Sequence, residues 1–437
     1  MIERLNPAQI LVAGFFIVIM GGSLLLSTPW AVQEGEVNYL TALFTAASAV
    51  CVTGLVVVDT ATHWNPFGQF IIMLPFQIGG LGIMSFATFF ALILGNNIQL
   101  KQRLAMQQAI NRSSMEGIVG IFKYLLILSF VIELIGAVIL FIYWLPYMDT
   151  GRAVWYSIFH SISAFNNAGF DLFGNFSSLT AFTGNAVVSF TISFLFIAGS
   201  LGFIVVYEIF NYRKNRSLSL HSRVVLITTL MVLIGGALLF FILEYHHTLQ
   251  GLTMNEKFIT SFFQSSSRTS GFTTVDLSGS VLPTQMLLMF LMFIGGAPGS
   301  TAGGIKVTTL AILILALFSF LKGKRDAEVM ERRIALEDLL KAAAIFFLSF
   351  GLVFVFAFLL SIGHAEPFNV ILFEVISAVG TVGLSLGMTP ELNSFGRLLI
   401  IVAMFLGRVG PITIAYSIVY SKKKGEIRYA EDRIMVG

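Results

Sequence analysis

Four short stretches of the chain carry one pattern. They are Phe44 to Asp59 (FTAASAVCVTGLVVVD), Phe159 to Asp171 (FHSISAFNNAGFD), Phe263 to Asp276 (FQSSSRTSGFTTVD) and Phe373 to Leu386 (FEVISAVGTVGLSL). Each runs from an aromatic through Ser, Ala or Thr to one glycine: Gly54, Gly169, Gly271 and Gly383. A large apolar residue follows each glycine: Leu55, Phe170, Phe272 and Leu384. These side chains offer no clustered nucleophile, base or metal ligand. What they offer is backbone: glycine frees the main chain to turn, and carbonyl oxygens aimed at one axis replace the water shell of a monovalent cation. Because those oxygens come from the main chain, side chains are free to differ between copies, and they do. The glycines lie 115, 102 and 112 residues apart, which makes this an internal-repeat protein.

Other chemistries find little support. The six histidines form no HxxxH or HExxH frame, and the single cysteine, Cys51, excludes an internal disulfide or a cysteine metal cluster. No GxGxxG follows a strand and no GxxxxGK[ST] is present, so no organic cofactor is expected and any nucleotide control must come from another chain. An intramembrane enzyme is therefore the weaker alternative.

The chain is 56% hydrophobic and 11% charged, with a mean hydropathy of +0.87. Soluble domains carry roughly 25% charge, so this is a polytopic membrane protein. Its net charge of +3 is no nucleic-acid signal, because the basic residues sit at membrane margins. The first apolar run, Ile10 to Leu26, is longer than a signal-peptide core and reads as a span. Eight spans are expected, near Gln9–Thr28, Phe67–Leu94, Phe122–Leu145, Ala186–Phe210, Val224–Leu243, Gln285–Leu321, Ala342–Ile362 and Arg397–Tyr420. The four glycine stretches fall between the first and second of each pair. The expected fold is an all-α membrane protein. It has four span–pore-loop–span repeats in pseudo-fourfold arrangement around a central pore, with eight transmembrane helices plus four re-entrant helices. The repeats divide as 1–98, 99–215, 216–325 and 326–437. They all start on the same side, which disfavours a carrier built from inverted repeats.

Basic residues set the orientation. Arg4, Lys101, Arg103, Arg112, Lys123, Arg213, Lys214, Arg216, Arg223, Lys322, Lys324, Arg325, Arg332, Arg333, Lys341, Lys422, Lys423, Lys424, Arg428 and Arg433 collect on one face, read as cytoplasmic together with both termini. The opposite face collects acids: Glu34, Glu36, Asp59, Asp149, Asp171, Glu244, Glu256, Asp276, Glu366 and Glu391. Asp59, Asp171 and Asp276 follow a repeat glycine closely, as an outer vestibule that concentrates cations would require.

The closing span of each repeat has an echo of its own: Gly79-Gly80-Leu81-Gly82, Gly199-Ser200-Leu201-Gly202 and Gly407-Arg408-Val409-Gly410. In the first two copies these small residues are read as close helix packing. The third copy is the long weak tract Gly295, Gly296, Ala297, Pro298, Gly299, Ser300, Thr301, Ala302, Gly303 and Gly304, which cannot hold a straight helix. The sixth span is expected to break there. Arg408, at membrane depth, must find partners or a wet cavity. It would either bond the carbonyls of the weak tract or pair with a buried acid such as Glu133 or Glu208. Lys306, just below the tract, either assists or snorkels. Arg268 is expected to brace the third segment from behind, with Glu374 as a candidate partner. Asn166 and Asn167 support the second segment. A proton relay through Glu133 and Glu208 is a weak alternative.

The motifs TAASAVCVTGLVVVDT (Thr45–Thr60), HSISAFNNAGF (His160–Phe170), SSRTSGFTTVD (Ser266–Asp276) and SAVGTVGL (Ser377–Leu384) resemble the superfamily of bacterial Trk and Ktr and plant HKT potassium transporters. The resemblance covers essentially the whole chain and is strongest to the membrane subunit of Ktr systems (KtrB/KtrD type). It implies a potassium filter formed by Val52, Thr53 and Gly54; Asn167, Ala168 and Gly169; Thr269, Ser270 and Gly271; and Thr381, Val382 and Gly383. Sodium-preferring relatives often carry serine at the first of these glycines, so Gly54 implies potassium. A sodium-permeable or non-selective monovalent cation transporter is the alternative, and sodium is the second candidate ion. The resemblance further implies that Gly295–Gly304, with Lys306 and Arg408, gates the pore. It implies a homodimer in a bacterial plasma membrane, docked on a cytosolic nucleotide-binding RCK (KTN) ring of the KtrA/KtrC kind. The basic tail from Lys422 is either a docking arm or an anchor on anionic membrane lipid.

Overall fold

The computed structural model describes residues 7–33, 38–82, 118–324, 326–410 and 413. Its helices follow one order four times: a long lead helix, a short buried helix, an extended return and a closing helix. The lead helices are Pro7–Leu26, Ile118–Trp144, Leu220–Glu244 and Leu336–Gly363. At about 1.5 Å rise per residue, even the shortest, at 20 residues, reaches across a hydrocarbon layer of roughly 30 Å. They leave Phe16, Ile17, Leu134, Ile242 and Phe354 exposed, an outward apolar surface suited to lipid. Among the described residues, four helices are long and apolar enough to cross a membrane, or five if one bent pair counts as a span.

The short helices are Tyr39–Cys51, Thr150–Phe165, Met254–Ser266 and Phe368–Gly380. None can span, and each is buried through its C-terminal half. Their small residues (Ala46, Ala47, Ser161, Ser265, Ser377) admit close neighbours. Three have polar N-caps: Asn38, Asp149 and Thr253, the last in a reciprocal capping box with Glu256. The closing helices are Pro66–Leu81, Ala186–Ser200, Leu282–Phe293 and Ser394–Val409. Three start on an asparagine, Asn65, Asn185 and Asn393, whose side chain accepts the N–H three residues on.

Packing closes the repeats into a ring. Each lead helix packs on the short helix of its own repeat. The closing helix of repeats one, two, three and four packs on the short helix of repeats two, three, four and one respectively. Among the described residues the helical pattern is interrupted by an exposed two-stranded hairpin, Glu328–Val329 with Arg332–Arg333, just ahead of the fourth lead helix.

Two expectations change. The span Ala186–Phe210 is not one helix: Ala186–Ser200 and Phe203–Phe210 meet at 106°. Nor is breakage confined to the third repeat. Gly82, Gly202 and Gly410 all adopt φ of 86 to 88° with ψ of 134 to 140°. This left-handed backbone ends a right-handed helix, and only glycine adopts it without strain. The echo glycines are therefore pivots as well as packing sites. In the third repeat the pivot widens into the whole segment 294–306 between Leu282–Phe293 and Val307–Leu321. The expected continuations of Phe67–Leu94 past Gly82 and of Arg397–Tyr420 past Gly410 lie outside the described residues, save Thr413. So do Arg4, Glu34, Glu36, Lys101, Arg103, Arg112, Arg325 and the basic tail.

Gly202→Ala tests the pivot. A β-carbon there would lie 2.7 Å from the Pro298 carbonyl oxygen on a left-handed backbone, and the strain alone is worth about 1–2 kcal/mol. Thermal stability in detergent should fall clearly for Gly202→Ala. It should hold or rise slightly for Gly235→Ala, which has open space within a lead helix.

Candidate functional site

The four extended returns meet. A β-carbon built on Gly54 would lie 3.1 Å from the Gly169 α-carbon, one on Gly169 3.3 Å from Gly271, one on Gly271 2.9 Å from Gly383, and one on Gly383 3.1 Å from Gly54. The circuit closes on itself. In every case the nearest atom is the carbonyl oxygen of the residue before the next glycine: Ala168, Ser270, Val382 and Thr53 in turn. Four glycines and four carbonyl oxygens thus alternate around one ring, and a β-carbon at any of the glycine positions would force the facing oxygen to shift. All four glycines have positive φ, from 72 to 101°.

The ring is held from behind. A serine stands six positions before each glycine: Ser48, Ser163, Ser265 and Ser377. Ser48 and Ser377 accept the N–H of Gly54 and Gly383 at 3.1 and 3.0 Å. Ser163 donates to the Phe170 carbonyl at 2.8 Å, and Ser265 donates instead to Leu233 of its lead helix at 2.7 Å. Val52, Asn167 and Thr381, which open three of the segments, are all left-handed, with φ of 57, 59 and 49°. For β-branched Val52 and Thr381 this is a strained backbone of the kind that collects at functional sites. The third segment avoids it through a 3-10 turn, Ser267–Thr269. The hydroxyls of Thr53, Ser270 and Thr381 are buried and have no protein partner.

On one side the ring opens into a cavity of about 440 Å³ lined by the four glycines together with Asp59, Asp171 and Asp276. These acids have local duties too. Asp59 caps Thr60–His63 and accepts the N–H of Phe176 in the next repeat at 2.8 Å. Asp171 and Asp276 close turns at Phe173 and Ser278. Glu244, grouped with them from sequence, is buried elsewhere and accepts the N–H groups of Thr248 and Val281.

On the other side lies the loop 294–306. Its neck is a parallel bridge between Ile294 and Ile305, with the Gly295 N–H donating to Ile305 at 2.7 Å. Its body is stitched into the break of the second repeat. Ala297 and Thr301 donate to the carbonyls of Ser200 and Gly199 at 2.8 and 3.1 Å, and Phe203 donates to Gly299 at 2.9 Å. Gly303 abuts the Thr381 hydroxyl. Three cations, buried Arg268 and half-buried Lys306 and Arg408, converge on the same loop. Arg408 donates to the carbonyls of Thr301 and Gly79, Lys306 to Ala302 at 2.7 Å, and Arg268 to Ile294 and to Gly295, the latter at 3.2 Å.

Arg408 thus bonds the tract and, among the described residues, pairs with no acid. Glu133 instead accepts from Gln77 at 3.0 Å, and Glu208 accepts from the Ser219 N–H at 2.9 Å. Lys306 turns inward and does not snorkel. Arg268 braces as expected but against the loop, and Glu374 is not its partner: that carboxylate accepts from Ser385 at 2.7 Å and from Thr389. Asn166 supports the second segment through Gln77 at 2.5 Å and Glu133 at 3.3 Å. The sequence signals that were missed are the six-residue serine spacing and the capping asparagines, both readable once the repeats are aligned.

A lipid-facing helical shell around a closed ring of main-chain oxygens defines a membrane protein of the pore-loop transport class. The chain belongs to the TrkH family of cation transport proteins, which it matches over residues 4–426. It is 42% identical to the potassium/sodium uptake protein NtpJ of Enterococcus hirae, covering 100% of this chain and 98% of that one. It is 41% identical to the Ktr system potassium uptake protein B of Bacillus subtilis, covering 99% and 97%. The crystal structure of the potassium transporter TrkH from Vibrio parahaemolyticus shares the fold, with a TM-score of 0.74 at 20% identity over 94% of this chain and 84% of that one. These are transport proteins rather than enzymes.

Removing the Arg268 guanidinium leaves buried carbonyls without a donor, at about 1–3 kcal/mol each. Arg268→Met should therefore lower the thermal midpoint in detergent markedly. Arg268→Lys should recover only part, since one ammonium cannot reproduce the guanidinium fork. A Met variant as stable as the parent would remove Arg268 from the brace.

Proposed function

We propose that this chain takes potassium up across a bacterial plasma membrane through a channel-like pore whose filter is the glycine ring. The observation that carries the reading is the closed circuit Gly54–Gly169–Gly271–Gly383, in which the oxygens of Thr53, Ala168, Ser270 and Val382 share one level. Such a ring substitutes for the hydration shell of an alkali cation. The residues of the returns also carry the unpartnered buried hydroxyls of Thr53, Ser270 and Thr381. The acidic cavity outside supports the direction of approach, because it raises the local cation concentration. Gly54, where sodium-preferring relatives often have serine, supports potassium, as does the similarity to the potassium/sodium and potassium uptake proteins of Enterococcus hirae and Bacillus subtilis.

The loop Gly295–Gly304 is the gate in this reading, with Lys306 and Arg408 beneath it. Its hold combines hydrogen bonds to carbonyls with a small apolar cluster of Ile294 and Ala297 against Val205, Val225 and Val307, and its glycines permit rearrangement without breaking a helix. Both termini face the cytoplasm, and the repeats divide at 98/99, 215/216 and 325/326. The chain works as a homodimer on a cytosolic nucleotide-binding ring, with sodium coupling as an optional second cation function. What supports the ring is that this chain has no nucleotide motif of its own and that its relatives are described as parts of Ktr systems.

Rubidium and sodium flux in liposomes tests both halves. Gly54→Ser should cut the rubidium-to-sodium flux ratio by about tenfold, or ~1.4 kcal/mol of discrimination. An unchanged ratio would take Gly54 out of the filter. Shortening the loop within Gly296–Gly303 should give flux that no longer depends on a cytosolic partner. A folded but silent transporter would make the loop structural.

A further inference from the structure

The loop and the glycine ring are not merely adjacent; one side-chain chain joins them. Thr301, in the loop, has its N–H on the Gly199 carbonyl and its carbonyl under Arg408. Its hydroxyl donates to the Phe165 carbonyl at 3.2 Å and accepts from Asn167 Nδ2 at 2.7 Å. Asn167 Oδ1 in turn accepts from the Thr269 hydroxyl at 2.9 Å. Thr301, Asn167 and Thr269 are all buried. Gly199 leaves the space they occupy: a β-carbon there would lie 2.7 Å from the Thr301 hydroxyl and 3.1 Å from Asn167 Nδ2.

Asn167 is also the left-handed residue that opens the second segment, directly before the ring oxygen of Ala168. Its side chain is therefore a strut between loop, second segment and third segment. Its counterparts at Val52 and Thr381 have no such link: valine has no polar atom, and the Thr381 hydroxyl is unpartnered.

We propose that Thr301 is a specificity-determining positioning residue. By holding the Asn167 amide it fixes the conformation that aims the Ala168 carbonyl, so the seat of the loop is read out as ion discrimination. This rests on the reading of the ring as a potassium filter and of the loop as its gate. When the loop leaves its seat, the Thr301 hydroxyl withdraws, and the buried Asn167 amide loses its shortest acceptor, keeping the longer bonds to the Phe165 and Phe196 carbonyls at 3.4 and 3.3 Å. A buried amide optimises the partners left to it in a low-dielectric site, so Asn167 turns toward those carbonyls. The left-handed residue then sits in a different set of bonds, and the carbonyl that follows shifts. Coupling of this kind has a physical carrier, a two-position element touched by both sites.

The test uses the full-length transporter in liposomes with rubidium and sodium as probes. Thr301→Val keeps the branched shape and removes the hydroxyl; it should lower the rubidium-to-sodium flux ratio by about threefold or more. Thr301→Ser, which restores the hydroxyl, should return the ratio to that of the parent. If Thr301→Val does not assemble, Thr269→Val cuts the same strut from the third segment and should move the ratio in the same direction. A purely structural Thr301 would change both fluxes in proportion, and an unchanged ratio in the assembled variant overturns the proposal. The gate reading fails separately. A ratio shift in Thr301→Val with no gain of flux on shortening the loop sinks the gate but keeps the strut. A gain of flux with an unchanged ratio does the reverse.

Discussion

Hydrogen in place of a β-carbon at four positions is the constraint on which the structure depends. Each repeat glycine faces the carbonyl oxygen that precedes the next repeat glycine, closer than any side chain would allow. The same succession organises the helices, where each closing helix packs on the short helix of the following repeat. A disturbance at one glycine therefore displaces a neighbour's oxygen before it displaces its own. The small residues of the short helices and the serines behind the returns serve this approach, because the main chain reaches the centre only if little side chain stands in its way.

Charge at membrane depth is handled by the same main chain. Arg268, Lys306 and Arg408 donate to carbonyls in and around the broken helices, and among the described residues none of them pairs with an acid. Among the described residues, ion pairs occur only on the exposed stretch around the small hairpin, such as Arg333 with Asp326 at 2.9 Å. A loop tied by cations to carbonyls is firmly seated yet has only a small apolar cluster, Ile294 and Ala297 against Val205 and Val225, to lose when it moves. That combination suits a segment that must hold and release. Glu133 follows another course: it stays in a neutral amide network with Gln77 and Asn166, behind the second segment.

Much of this was legible in the sequence because it is written locally. The glycine tract of the sixth span breaks where its composition requires. The glycines met because a fourfold pattern with flanking spans has few ways to fold. What was not legible depends on partners far apart in the chain. Arg268 chooses Ile294 and Gly295 over Glu374, and the loop settles into the break at Gly199–Phe203 across about a hundred residues. The pivots at Gly82, Gly202 and Gly410 were missed for a different reason. A lone glycine in an apolar run fits helix packing as well as a bend, and only the shared backbone angles tell them apart.

The central claim is that four main-chain segments coordinate the transported ion on one axis. Anomalous diffraction from crystals in which potassium is replaced by thallium tests it most directly. The account requires a peak on the axis of the ring, within coordination distance of the Thr53, Ala168, Ser270 and Val382 oxygens. Thallium confined to the cavity of Asp59, Asp171 and Asp276, with the ring empty at saturating concentration, would contradict it.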